Sequence, residues 1–273
     1  MTRWRLDLAY DGTAFHGWAD QPGLRTVAGE LQLWLGRILR LDPAPQLVVA
    51  GRTDAGVHAA AQVAHVDLDD DIDLGAQLDR LRRVLPDDVV VRAITRTPDG
   101  FDARFSANRR RYCYRLWDAT STPDPLLRHV VAPVSATLDI AAMNTAGDAL
   151  VGLRDFAPFC KKREGATTIR HLQTLTTRRD EASGMSLVDV ISDAFCHSMV
   201  RSLVGALVAV GSGQRDLIWL EATASSPERA NDVLVMPAKG LTLEAVGYPP
   251  DDELAARATE ARNTRTLDES DDA

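Results

Sequence analysis

The residues best suited to chemistry lie in the run Gly51-Arg52-Thr53-Asp54-Ala55-Gly56-Val57-His58-Ala59. A carboxylate two residues from a guanidinium can stay ionised in a partly buried setting, because the cation opposes the rise in proton affinity that desolvation brings. An ionised, positioned Asp54 is a nucleophile or a general base. The same spacing also suits plain architecture, since Asp before Ala-Gly is a common turn residue or helix cap. Both readings stay open on these residues alone.

The elements that must hold this run follow from periodicity. Residues 4–10 alternate into the turn Asp11-Gly12, which predicts a strand. Val27, Leu31, Trp34, Leu35 and Ile38 recur at helical spacing, with Thr26 as the N-cap. Short strands are expected at 47–49, at 62–68 and from Val89, with a helix along Leu74, Leu78, Leu81 and Leu85. The second half repeats the rhythm. Strands are expected at 111–117, 168–178, 186–195 and 241–246, and helices at 138–150, along Val200–Val208 and over 216–234. The order β-α-β-β-α-β, met twice, predicts an α+β fold of two ferredoxin-like halves with antiparallel sheets joined around a central cleft. The expected divisions are 1–103, 104–250 and an acidic, disordered or weakly helical tail at 251–273.

Charge sharpens the picture. The chain of 273 residues carries a formal net charge of −8, which taken alone argues against a nucleic-acid partner. Residues 251–273 hold eight acids and three arginines, and five more acids fall in 67–73. Against this, Arg104, Arg109, Arg110, Arg111 and Arg115 occur in twelve residues without an acid. Lys161-Lys162-Arg163 forms a second basic cluster. Arginine beside Tyr112 and Tyr114 suits phosphate and base contact, although a charge run is also an ordinary solvated face. Strand alternation places Arg109 and Arg111 on one face and Arg110 and Tyr112 on the other, so the three arginines should not share one job.

Other classes fall away. Tyr10-Asp11-Gly12-Thr13 ends like the D-x-D-G-T motif of phosphatases, but the nucleophile's position holds Ala9. No Walker loop, G-x-S-x-G or G-x-G-x-x-G occurs. Cys113, Cys160 and Cys196 are far apart and odd in number, so small buried thiols in a reducing compartment are expected rather than a disulfide framework. The six histidines lack metal-ligand spacing, and no metal is expected. The longest apolar stretch, 203–211, is too short to span a membrane. A cytoplasmic protein is expected.

Several blocks in order carry a family likeness. They are Tyr10-Asp11-Gly12-Thr13 to Gly17-Trp18 with Arg25-Thr26-Val27, the Asp54 run, and Ala103–Ala107 with Arg110–Tyr114. Phe195-Cys196-His197-Ser198-Met199-Val200-Arg201 and Gly240-Leu241-Thr242-Leu243 complete them. Over residues 4–248 the chain resembles the TruA family of pseudouridine synthases, which modify transfer RNA. The resemblance implies conversion of uridine to pseudouridine at positions 38, 39 or 40 of the anticodon stem-loop, by homodimers without cofactor or metal. It implies Asp54 as the catalytic aspartate and Arg52 as its pair, helping to eject the nucleotide. It implies Tyr112 against the base, Arg201 near Asp54, and Leu241 packed beneath the base. A phenol at Tyr112 could also assist removal of the C5 proton, or serve as an aromatic platform. This chain departs from the family at Ala19, and at Cys196 and Ser198, where other members often carry Gln and a second histidine. The alternative reading is an RNA-binding module that has kept the fold without turnover.

Overall fold

The computed structural model describes residues 1–161, 167–263 and 266, and divides into two units. The first unit comprises Met1–Asn108 with Thr242–Asn263. Its strands are β1 (Thr2–Tyr10), β2 (Val48–Val49), β3 (His58–Leu68), β4 (Val89–Arg96) and most of β10 (Leu241–Gly247). Its helices are α1 (Val27–Leu39), α2 (Leu78–Val84) and α6 (Leu254–Glu260). Strand β1 lies between β3 and β4 and is antiparallel to both. On the far side of β3, β2 pairs antiparallel at Val49↔Ala64 and β10 pairs parallel at Thr242↔His58. The β4-β1-β3-β2 order is that of a ferredoxin-like half.

Alternation explains the core. Leu6 and Leu8 point to one face of β1 and are fully buried, as are Leu31 and Leu35 on the apolar stripe of α1. Thr26 caps α1 by accepting from the Gly29 N–H at 3.2 Å, as the sequence predicts. The helix stops at Arg40, whose backbone is left-handed (φ 58°), with the Leu41 N–H returning to the Gly36 carbonyl.

The second unit runs over Arg109–Leu241. It holds β5 (Arg109–Trp117), β6 (Ala132–Pro133), α3 (Ile140–Asp148), β7 (Gly152–Asp155), β8 (Ile169–Arg179), β9 (Ser186–Ser192), α4 (Met199–Gly211) and α5 (Leu217–Ala224). Strand β9 lies between β5 and β8, and β7 extends the other side of β8, all antiparallel. Helix α4 is apolar almost all round, with Leu203, Val204, Ala206 and Leu207 fully buried.

Four expectations need correction. Residues 254–260 are helical and docked: Leu254 is buried in a cluster with Ala50, Val63, Phe101 and Ala103. Two apolar residues four apart, Leu254 and Ala258, supply the buried stripe that the surrounding charge conceals. The segment Thr242–Asn263 groups with the first unit, where β10 pairs with β3 and Leu254 joins the Ala50 cluster. Only Leu217–Ala224 of the expected helix 216–234 forms, capped by Asp216 and ended before Pro227. Cys160 and Cys196 are joined in a disulfide with a Cα–Cα distance of 5.7 Å, while Cys113 is buried on β5. A separation of 36 residues in sequence gives no hint of that pairing. Among the described residues, no helix is long and apolar enough to cross a membrane.

Candidate functional site

The Asp54 run is the β2–β3 connection of the first unit. Ala50 closes the ladder, its N–H donating to the Val63 carbonyl at 2.8 Å, and the chain then leaves the sheet until His58. Asp54 opens a turn, its carbonyl accepting from the Val57 N–H at 3.1 Å. Gly56, third in that turn, has φ 77°, which a type II turn requires and a side chain resists. Asp54 is half-buried and Arg52 is exposed. The turn and the chemical readings of Asp54 are therefore compatible, since the turn holds the carboxylate.

A buried polar triad fixes the loop from below. The hydroxyls of Tyr10 and Thr53 are 2.7 Å apart. Gln62 donates its amide to the Tyr10 hydroxyl at 3.1 Å and to the Gly51 carbonyl at 2.9 Å. Burial pushes the Tyr10 phenol up to about 12, against the opposing pull of its hydrogen bonds to Thr53 and Gln62. It thus stays a neutral hydrogen-bonding group. The bulge in β1 between Leu8 and Tyr10 sits beside this triad.

The segment 12–18 clasps the loop from the side. Trp18 N–H donates to the Thr53 carbonyl at 3.1 Å, and Gly56 N–H donates to the Phe15 carbonyl at 3.2 Å. The approach is too close for side chains. A Cβ on Gly17 (φ 90°) would stand 2.8 Å from the Thr53 oxygen, and one on Gly12 would stand 2.1 Å from the Val57 oxygen. The clasp is anchored on α1, whose first turn donates Val27 N–H to Gly17 O at 3.2 Å and Ala28 N–H to Trp18 O at 3.0 Å. Arg25 adds a bidentate pair with Asp88 at 2.6 and 2.8 Å and lies 4.1 Å over the Phe15 ring.

His58, at the loop's exit, accepts the Gly12 N–H through Nδ1 at 3.0 Å. The same nitrogen lies 3.1 Å from an Asp11 carboxylate oxygen. His65 likewise accepts the Ala103 N–H at 3.0 Å, and burial lowers its proton affinity. Both histidines tie backbone to backbone.

The second unit positions the remaining residues by similar means. Tyr112 is buried on β5, and its ring meets Phe195 edge to face at 5.2 Å. Phe195 lies just beyond β9 in a loop shaped by Asp193, whose carboxylate accepts from the N–H groups of His171 at 3.0 Å and Ala194 at 2.7 Å. Arg110 is buried and donates to the Asp193 carbonyl. Arg109 and Arg111 are exposed, and Arg111 pairs with Asp189 at 2.7 Å. The alternation predicted along this strand is the one observed.

Arg201 is in the first turn of α4. Its Nε donates to the Met236 carbonyl at 2.6 Å, and its own carbonyl accepts the Met236 N–H at 3.2 Å. The 234–236 segment runs against α4 so closely that a Cβ on Gly205 would fall 1.8 Å from the Leu234 oxygen. Leu241 is buried at the start of β10. Just before it, Gly240 lies on the Tyr114 ring, and the Tyr114 hydroxyl donates to the Pro237 carbonyl at 2.6 Å. Burial raises the Tyr114 phenol above its ordinary value, while Arg201 pulls the other way. Lys161 is exposed and its N–H donates to the His197 carbonyl at 3.0 Å. Lys162 and Arg163 lie outside the described residues.

Several positioning residues are not evident from the sequence. Gln62 and Asp193 make no motif, and the contacts that Phe195 and Tyr114 make do not show in the motif blocks that contain them. Gln62 alone leaves a signal: a polar side chain in an apolar strand, fully buried in the fold.

Comparison with known proteins places the chain in a family. A family model described as tRNA pseudouridine synthase matches residues 146–249, which include Arg201 and Leu241. The tRNA pseudouridine synthase A of Cutibacterium acnes is 62% identical over 267 residues, covering 97% of this chain and 96% of the relative. Proteins of the same name from Frankia casuarinae and Streptomyces avermitilis are each 53% identical, over 97% and 98% of this chain and 96% and 95% of their own. Identity of this degree along nearly the whole of both chains shows that the chain belongs to the tRNA pseudouridine synthase A family.

Proposed function

We propose that this chain isomerises uridine to pseudouridine in the anticodon stem-loop of transfer RNA, at positions 38, 39 or 40, with Asp54 as the catalytic carboxylate. The observation that carries this reading is the Asp54 turn. A half-buried carboxylate sits on a loop held by the Tyr10–Thr53–Gln62 triad and by the 12–18 clasp. Pre-organisation of this kind is what a reacting group needs.

The chemistry requires four events. The N-glycosidic bond breaks, the uracil turns, and a C–C bond forms through C5, after which the C5 proton leaves. A carboxylate serves by attacking the ribose C1′, by attacking C6 of the base, or by taking a proton from the ribose. A stacked base is out of reach, so it must be flipped first. Arg52, exposed beside Asp54, assists that ejection. Tyr112 and Leu241 receive the base, and Arg201 acts on the substrate. Exposed Arg109, Arg111 and Lys161 contact phosphates, with Lys162 and Arg163 continuing the cluster. Arg110, buried on the Asp193 carbonyl, instead holds the loop behind Tyr112. The enzyme acts in the cytoplasm as a homodimer, checked by light scattering at twice the 29.7 kDa chain mass.

Release of tritium from C5 of labelled uridine in tRNA tests this reading. Wild type should release label, and Asp54→Ala should lower release by at least about 10³-fold while still binding tRNA. Binding by wild type without release would favour a silent RNA-binding module instead.

A further inference from the structure

We propose that Cys160 and Cys196 are a reversible redox pair, closed by a peroxide, that tethers the Ala157–Phe159 turn and Lys161 to the loop holding Phe195 against Tyr112. The inference rests on the proposed function only for its tRNA readout. The thiol chemistry stands apart from it.

The geometry favours a formed and re-formable bond. The Cα atoms are 5.7 Å apart, inside the roughly 4.4–6.8 Å range of disulfides. The two strands of chain are already joined beside the sulfurs, because Lys161 N–H donates to the His197 carbonyl at 3.0 Å. Reduction therefore leaves the thiols adjacent. The two cysteines also differ as a working pair should. Cys160 is 1% exposed, whereas Cys196 is half-buried. Cys196 stands just ahead of α4, with its carbonyl accepting the Met199 N–H at 3.1 Å, and His197 follows it. Cys196 is thus the more accessible of the two cysteines and the one that peroxide reaches first. Cys113, buried on β5, is the internal control.

The step balances. The Cys196 thiolate attacks one oxygen of hydrogen peroxide, the O–O bond breaks, and hydroxide leaves, giving a sulfenic acid. The Cys160 sulfur then attacks the Cys196 sulfur, and the sulfenic oxygen leaves as water with the Cys160 proton. Two thiols lose two electrons, and one peroxide becomes two waters. In a reducing compartment the pair rests open and registers oxidant.

The consequence falls on substrate binding. Cys196 is the neighbour of Phe195, the edge-on partner of Tyr112. Cys160 is the neighbour of Lys161, the first residue of a basic cluster. A closed bond pre-organises both segments, which lowers the ordering cost of binding. Closure should lower the KM for tRNA by about 3- to 10-fold and change kcat by less than about twofold.

The test uses the full chain, first reduced and then treated with hydrogen peroxide. Thiol titration should fall from three to one, with intact mass lower by two hydrogens and dithiothreitol reversing both. The oxidised form should melt roughly 5–10 °C higher. Cys196→Ser should retain the reduced form's KM and ignore peroxide, whereas Cys160→Ala should take a sulfenic acid at Cys196 on treatment and form no bond. Three titratable thiols after treatment would overturn the proposal. So would over-oxidation of Cys196 with Cys160 still free, or equal KM values for the oxidised and reduced forms. Failure of Asp54→Ala to lose turnover would sink the catalytic reading and leave these thiol results untouched.

Discussion

Gly12→Ala is the sharpest probe of how the Asp54 loop is held. The residue lies in a 3-10 turn just after β1, without positive φ, so alanine brings no backbone strain and acts only through its added carbon. That carbon would stand 2.1 Å from the Val57 oxygen and 2.5 Å from the Val57 carbonyl carbon. Reaching even 3.0 Å from the oxygen requires a displacement of about 0.9 Å. Neither side yields without passing the motion on. Val57 is buried, and its N–H is held by the Asp54 carbonyl. Gly12 is held by His58 and by the Phe15 N–H. A shift approaching one ångström at a reacting group costs about 10²-fold in rate, or about 2.7 kcal/mol of barrier. The assay is tritium release from C5 of tRNA uridine, with tRNA affinity measured alongside. We expect kcat/KM to fall about 10²-fold while affinity stays within about threefold. Gly51→Ala is the control in the same loop, because its added carbon meets nothing within 4 Å. Wild-type turnover in Gly12→Ala would refute the reasoning, as would equal damage from Gly51→Ala.

Further outcomes follow from the same contacts. Tyr10→Phe removes a hydroxyl shared by Thr53 and Gln62 and should cost about 1–3 kcal/mol in denaturant unfolding. Because the folded Tyr10 phenol is raised from 10 to about 12, its contribution is full below pH 10 and is lost as pH climbs to 12. Tyr10→Phe should therefore show a shallower alkaline decline across that window. Asp118 is held below the usual carboxylate range: burial pushes it up, but hydrogen bonds from Arg179, Thr120, Leu138 and Ser121 outweigh that. Its contribution is present above its unfolded value and lost as pH falls through the acid range. Arg179→Ala should strip the buried carboxylate of its main partner and cost about 3 kcal/mol by thermal or urea unfolding. Leu254→Ala should destabilise by about 3 kcal/mol, whereas an unchanged melting temperature would show that α6 does not dock.

Much of the fold was legible because its elements obey their periods. The α1 stripe, its Thr26 cap and the β5 alternation need only local chemistry, and all three read correctly. What stayed hidden depends on contacts distant in sequence. Residues 254–260 look solvated because charge surrounds a two-residue buried stripe, and only the Phe101 and Val63 surface reveals its use. The Cys160–Cys196 bond needs the β7–β8 connection and the end of β9 brought together. At the site, Asp54 stood out as a motif, but the reasons it is held there did not. Gln62 is one polar residue in a strand, and the glycines at 12 and 17 matter for carbonyls some 40 residues away. The basic run was legible in composition but not in role, because burial separates Arg110 from Arg109 and Arg111.

The central claim is that Asp54 converts anticodon-arm uridines. Mapping pseudouridine along a tRNA incubated with wild type or with Asp54→Ala tests it most directly. Pseudouridine is expected at position 38, 39 or 40 with wild type and none with the variant, at equal tRNA occupancy. Pseudouridine formed by Asp54→Ala at the wild-type rate, or formed by wild type only outside the anticodon arm, would contradict it.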